Sequence, residues 1–449
     1  MTLATAAREL GIAHAGPDAG FTDVSTDTRK LGPGALFVAL RGERYDGHDY
    51  LAQAKAAGAV GAMVDAAHAG AGPLPALVVA DTRDGLCALA TAWRKRFTPV
   101  MVGIAGSNGK TTTKEMLAAI MRCAAGDAAV LATAGNLNTD IGVSLTVLRL
   151  RAAHRLCAIE LGTNHRGEIA RVAAVAQANI VVVTNALRDH LEYLGSVAQM
   201  AEENADALRA LPADGIAVIN ADDPHAAVFR KAAGARRLIE FALDAPAGIG
   251  ARCTLRPFSS EVVLRTPEGE VGTTLAIAGR HNVRNALAAA AAAHAAGIAN
   301  AAIAKGLAAF RPATRRLQVK PLAGGATLID DSYNANPDSM RAAIDVLAAC
   351  PGPTVLVLGD MGELGPEGPA FHREIGGYAR ERGITRLVAL GEASRETVAA
   401  FGAGAEHCAS VEAAAQAARA ATTVLVKGSL FMGMDRVVAA LTGQRAEVH

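Results

Sequence analysis

The stretch "GIAGSNGKTTTKE", Gly103 to Glu115, sets how the rest of the chain is read. It ends in Gly-Lys-Thr, as a phosphate-binding loop does. The general spacing of glycine, four residues, then Gly-Lys-Ser/Thr would put Ile104 where the first glycine belongs. The apolar run "PVMVGIA" before it has strand length, and "KTTTKEMLAAIMR" after it reads as a helix. Small residues at such a turn let backbone N–H groups point at oxygen anions, and the helix N-terminus adds partial positive charge. Ile104 then belongs to the strand, and Gly106, Ser107, Asn108 and Gly109 form the loop. Lys110 is expected at the β- and γ-phosphates of a nucleotide, the Thr111 hydroxyl at Mg²⁺, with Thr112 completing the motif. A glycine turn capping a structural helix is the plain alternative; the strand–loop–helix context favours the phosphate.

Working outward, strands alternate with helical stretches: "LCAIEL" (156–161), "NIVVVTN" (179–185) and "GIAVIN" (215–220). That alternation predicts parallel crossovers in a doubly wound α/β sheet. Residues 251 to 280 differ, with a hairpin around "TPEGE", and an alanine-rich helix pair follows (285–307). "RPATRR" (311–316) is the linker candidate. Beyond it "ATLIDDSY", "TVLVLGD", "RLVALG" and "TTVLVKG" predict a second, Rossmann-like open sheet. It lacks Gly-x-Gly-x-x-Gly, so no dinucleotide is implied. The 449 residues suit three α/β domains, placed at 1–95, 96–312 and 313–449.

A net charge of +1 argues against a broad nucleic-acid surface. Six cysteines without C-x-x-C spacing indicate neither zinc nor a disulfide framework, and a reducing cytoplasm is the expectation. The N-terminus, with Arg8 and Glu9 in its apolar part, is not a signal peptide, and the alanine run is too broken for a membrane span.

A nucleotide site needs an acid for its metal. Glu160 ends an apolar strand at the edge where ligands bind in parallel sheets, above the base rate for a solvated strand-end glutamate. His190, in "RDHLE" past the next strand, is either a ligand or a solvated loop residue.

These pieces resemble the Mur ligases of peptidoglycan synthesis, whose loop is shortened in the same way as T-G-[ST]-x-G-K-[ST]; here it reads "AGSNGKT", with Ala105 for threonine. "STDTRKLGPGALFVALRGERYDGHDY" looks like the family's uridine-nucleotide domain, which implies substrate contacts from Asp27 and Arg29. "GNLNTDIGVSLTVLRL" resembles the segment lining the UDP-muramoyl-peptide site, which implies Asn136 and Asn138. "IELGTNHRGEI", "NADDP", "GRHNVRNALAA", "DDSYNANPDSM", "GDMGELG...HREIG" and "VLVKGS" are further matches in order. "DSYNANP" and "GNLN" resemble the branch that adds D-alanyl-D-alanine to UDP-N-acetylmuramoyl-tripeptide, not the diaminopimelate-adding one.

The resemblance implies ATP and Mg²⁺ as cofactors and catalytic roles for Lys110, Glu160 and His190. It implies metal ligation by Thr111, Glu160 and His190, with His190 at a second Mg²⁺. It puts His281 and Asn282 near adenine, Arg316 and Asp331 at phosphate and ribose, and Asn334 and Asn336 on the dipeptide side, though turn chemistry alone would explain those two asparagines. A cytoplasmic monomer is expected, and the C-terminal domain is expected to close over the central one. A phosphate-loop GTPase would need an NKxD-type motif, which is absent; the folylpolyglutamate branch lacks the pattern at 25–50.

Two positions depart from the family. Most Mur ligases carry a carbamylated lysine after "HLE..GS", and its place falls on Asn204. Either the second metal is held more weakly or another anion fills the gap, and activity without added bicarbonate is expected. Glu202 and Glu203 are candidates, but on a helix they point elsewhere than Asn204. The family's arginine after "KGS" is Leu430 here, with Arg436 as a possible stand-in.

Overall fold

The chain, in a computed structural model that describes residues 1–70 and 72–443, is built on four sheets. Residues 444–449, assigned above to the C-terminal domain, lie outside the described residues. The central sheet has six parallel strands, in the order Arg237–Phe241, Ile216–Asn220, Ile180–Val183, Val100–Ala105, Leu156–Glu160, Val130–Ala132. Its inner strands are Val/Ile-rich and buried on both faces, as parallel strands covered by helices must be. The strand leading into the phosphate loop lies between those ending at Glu160 and Val183. Three neighbouring strands therefore deliver their loops to one edge of the sheet.

Helix Lys110–Ala125 runs back from that edge and packs on the alanine-rich pair Arg280–Ala295 and Asn300–Ala309. Small side chains set the spacing: a Cβ on Gly306 would meet the Ile120 Cα at 2.3 Å. No described helix is long and apolar enough to cross a membrane. The hairpin expected around "TPEGE" is Ser260–Thr266 with Gly269–Leu275, joined by Gly250–Leu255 in a small antiparallel sheet.

The N-terminal sheet runs Ala13–Ala15, Ala76–Val79, Gly61–Asp65, Ala35–Val38, Asp23–Ser25, parallel except for its first pair. The C-terminal sheet runs Gln318–Pro321, Thr327–Asp331, Thr423–Lys427, Thr354–Leu358, Arg386–Ala389, Ala405–His407, with only the first strand antiparallel. Between central and C-terminal sheets, residues 311–317 form neither helix nor strand. Their far end is anchored: Arg315 is buried and donates to the Ser332 Oγ (3.1 Å) and carbonyl (2.7 Å).

Ion pairs join the units. Arg188 donates to Asp338 (2.6 Å) and Glu374 (2.7 Å), tying the loop after Ile180–Val183 to two C-terminal helices. Asp140, on helix Asp140–Leu148, is buried between Arg83 (2.6 Å), from the helix Thr82–Arg94, and Arg171 (2.7 Å). Burial alone would raise the Asp140 pKa, but Arg83, the Ile141 amide and Arg171 outweigh it and hold it below the ordinary range. Its stabilisation is therefore present above the usual aspartate value of about 4 and lost as pH falls through the lower folded value. Asp140→Asn is expected to cost about 1.5–3 kcal/mol, the scale of hydrogen bonds to a charged group, read as a lower urea midpoint at neutral pH that converges on wild type in acid.

Candidate active site

The loop conformation depends on its glycines. Gly106 has φ 131°, a region side chains avoid, and a Cβ there would lie 2.1 Å from the Thr184 Oγ1. Gly106→Ala is expected to abolish measurable binding of an ATP analogue by calorimetry, through displacement of the loop. The loop is wired to the next strand's end: the Ser107 amide donates to the Asn185 carbonyl (3.0 Å), the Asn108 amide to the Asn185 Oδ1 (2.9 Å) and the Thr184 hydroxyl to the Asn108 carbonyl (2.9 Å). Lys110 folds back over it, its Nζ donating to the carbonyls of Gly106 (2.5 Å) and Ser107 (2.9 Å). Burial pushes the Lys110 pKa down, with Arg316 adding to that, while Asp189 and Glu160 oppose it. A cation so placed is stabilised by an incoming polyanion.

Glu160 is 2 % exposed. Its Oε1 accepts from the Thr111 hydroxyl (3.2 Å) and the Asn138 amide (2.8 Å). Its Oε2 is buried without a partner. An orphaned carboxylate oxygen beside a threonine hydroxyl at a phosphate loop fits a hard divalent cation, which binds through one or two carboxylates plus phosphates. Thr111 and Glu160 are the residues that would hold it.

His190 is also in the cleft, with φ 50°, a left-handed conformation uncommon outside glycine. Its Nδ1 lies 2.5 Å from the Glu363 Oε2, close but outside hydrogen-bond alignment, and its Nε2 lies 3.6 Å from the Asp189 Oδ2. Burial opposes its protonation, but Glu363 and Asp189 prevail and raise its pKa. Glu363 comes from the C-terminal domain, so the cleft, about 1130 Å³, is walled by two domains. Asp189, Glu363 and Arg188 are site-edge residues missed in the sequence. Asp189 and Arg188 precede His190 directly, and Glu363 sits in the quoted "GDMGELG", but no spacing rule singles them out.

His281 and Asn282 line the same cleft. Burial, with Lys427 and Arg284 nearby, pushes the His281 pKa down to about 4, so its ring is neutral and suited to stacking on a base. Arg316 lies over the Tyr333 ring (4.0 Å) and reaches the Thr111 hydroxyl (3.5 Å). Asp331 accepts from Lys427 (2.6 Å) and the Leu317 amide (3.1 Å), so its first task is inside the C-terminal domain.

Asn136, Asn138, Asn334 and Asn336 all line the cleft. Asn336 is not free for a ligand as expected. It caps helix Pro337–Ala348 through Ser339, pairs twice with the Asn108 amide (2.8 and 3.1 Å), and donates to Asp189 (3.0 Å). Its geometry is that of a domain clasp. Asp27 and Arg29 do not line the cleft; they form a bidentate pair (2.9 Å for both contacts) on the surface of the N-terminal domain. Leu430 lines the cleft, but Arg436 does not replace the missing arginine, since it turns back onto the Met432 and Gly433 carbonyls (3.0 and 3.2 Å).

Residues 21–122 match the Mur ligase catalytic domain, 104–293 the Mur ligase middle domain, and 315–430 the Mur ligase glutamate ligase domain. The chain is 42% identical over 95% of both chains to the UDP-N-acetylmuramoyl-tripeptide–D-alanyl-D-alanine ligase of Escherichia coli (strain K12). It is 34% identical to the ligase of that name from Bacillus subtilis (strain 168), over 82% of this chain and 80% of the other. The crystal structure of MurF from Acinetobacter baumannii superposes with a TM-score of 0.90 at 32% identity, covering 98% of both chains. The chain belongs to the Mur ligase family.

Proposed function

We propose that this protein is an ATP-dependent ligase that joins D-alanyl-D-alanine to UDP-N-acetylmuramoyl-tripeptide in the cytoplasm, as a monomer. The carrying observation is the Gly106–Thr112 loop facing the orphaned Glu160 oxygen in a cleft shared by two domains. In this reading residues 1–95 take the uridine nucleotide, 96–312 take ATP, and 313–449 complete the dipeptide side. A terminal carboxylate oxygen of the tripeptide attacks the γ-phosphorus, the bond to the β-phosphate oxygen breaks, and ADP leaves. The dipeptide amine then attacks the acyl phosphate carbon, the C–O bond breaks with its electron pair going to the departing phosphate, and the nitrogen loses its proton to that phosphate.

Mg²⁺, when bound, supplies charge neutralisation between the phosphates and the carboxylate. The chain's own part is positional. Lys110 and the N-terminus of the helix Lys110–Ala125 hold the phosphates, His281 and Asn282 border the nucleoside, and the clasp of Asn108 with Asn336 closes the cleft against water. The test is phosphate release from ATP that requires both UDP-N-acetylmuramoyl-tripeptide and D-alanyl-D-alanine, with the pentapeptide product seen by mass spectrometry. ATP hydrolysis indifferent to the dipeptide would refute the reading.

A further inference from the structure

Outside the cleft, the N-terminal sheet carries its own cluster of ligating side chains. The strands Ala35–Val38 and Gly61–Asp65 are parallel neighbours, so the loops after both leave from one edge. Ligands of open parallel sheets bind at that edge. It brings together His48, from the first loop, with Asp65 and His68, from the end of the second strand and the turn after it. One donor atom from each lies within 4.8 Å of the others. None of the three lines the cleft.

Matching carboxylates hold the two rings. The Asp46 Oδ1 accepts from the His48 amide (3.0 Å) and from its Nδ1 (2.5 Å); the Asp65 Oδ1 accepts from the His68 amide (3.2 Å) and from its Nδ1 (2.6 Å). Both Oδ2 atoms go to Arg41 (2.9 and 3.0 Å). The rings stack with centres 4.0 Å apart. With Asp46 at Nδ1, as outer carboxylates stand behind metal-binding histidines, the buried His48 turns its Nε2 lone pair toward the Asp65 Oδ1 at 3.9 Å. That Nε2 accepts a long bond from the Asp65 amide (3.2 Å). Two donors on a tetrahedral zinc ion sit about 3.4 Å apart. The Asp65 Oδ1 distances to His68 Nδ1 (2.6 Å) and His48 Nε2 (3.9 Å) bracket that value, so side-chain shifts under about 1 Å seat one ion. The His48 amide keeps Asp46 well below the ordinary carboxylate range, and the His68 ring lowers Asp65. Two carboxylates against the one guanidinium leave net negative charge for a cation.

We propose that His48, Asp65 and His68 form a site for a zinc-like divalent cation that ties together the two loops of the N-terminal sheet, with Asp46 as the outer carboxylate behind His48. Two imidazoles and one carboxylate suit zinc and its late first-row neighbours, whereas Mg²⁺ prefers oxygen alone. The ion takes the place of the His68 Nδ1 proton, which leaves to solvent, and of the Asp65 amide at the His48 Nε2. His68 has the most exposed side chain of the three, at 31 %, and opens the way in. The site stands apart from the ligase reading and from any ion at Glu160.

The experiment titrates the full-length protein with Zn²⁺ by calorimetry in excess Mg²⁺, which fills any hard-cation site. Wild type should bind one Zn²⁺ per chain and melt at a higher temperature with it. His68→Ala should lose that binding and the rise in melting temperature. Asp46→Asn, which still caps its turn, should weaken binding by about 10–100-fold, the scale for an outer-shell partner. Co²⁺ in place of Zn²⁺ on wild type should show the visible bands of nitrogen and oxygen ligation without the thiolate band that the six cysteines would give. Binding to wild type no tighter than to His68→Ala, which would leave a hydrogen-bonded ring pair only, would overturn the proposal. So would a thiolate band, displacement by Mg²⁺, or an Asp46→Asn variant that binds as wild type does.

Discussion

Glu160→Gln should lower turnover by about 10²–10³-fold with the fold intact, the scale seen when one preorganised charge-stabilising group is removed from an active site. The substitution keeps size and leaves an oxygen to accept from Thr111 and Asn138. What changes is the other position. The buried Oε2 has no partner, so an amide there points hydrogens where a cation would bind. The ligand-free variant should melt at or above the wild-type temperature, because an unpaired buried carboxylate oxygen is costly. Low activity with an unchanged or raised melting temperature separates loss of a cation site from loss of structure. Activity within 10-fold of wild type at saturating Mg²⁺ would remove Glu160 from the reaction.

Lys110→Met should cost about 10³-fold in kcat/KM for ATP, since it deletes the ammonium that folds over the loop while keeping its aliphatic stem. In the ligand-free protein Lys110 satisfies two loop carbonyls but holds its charge against burial, with a lowered pKa. These effects oppose each other, so the melting temperature should move little while nucleotide turnover collapses. Lys110→Arg should rescue poorly. A planar fork cannot fold back onto Gly106 and Ser107 as a compact ammonium does. An arginine variant with near-wild-type kcat/KM would mean that the charge acts at long range, without the specific geometry of the loop.

Several features were legible in the chain because they are local. Ile104 could be assigned to a strand because five apolar or small neighbours precede the loop, and the structure gives Val100–Ala105. The alanine-rich pair was legible because Gly297 and Asn300 interrupt it where the two helices part. Short edge strands such as Val130–Ala132 and Ala405–His407 were not, since three residues carry no periodicity. Asn336 shows the other limit. Its motif was visible, but whether it meets a ligand, caps a helix or clasps Asn108 depends on a contact 228 residues away in the chain.

By itself, the order of residues determined the three α/β units, the shortened loop and Glu160 at a strand end, because strand–loop–helix chemistry is written within about ten residues. Only the tertiary structure decided which charges face one another. Asp189 beside His190, Glu363 behind the ring and Asn204 sealed away from the cleft follow from helix phase, a left-handed turn and the meeting of two domains, none of which a linear spacing encodes.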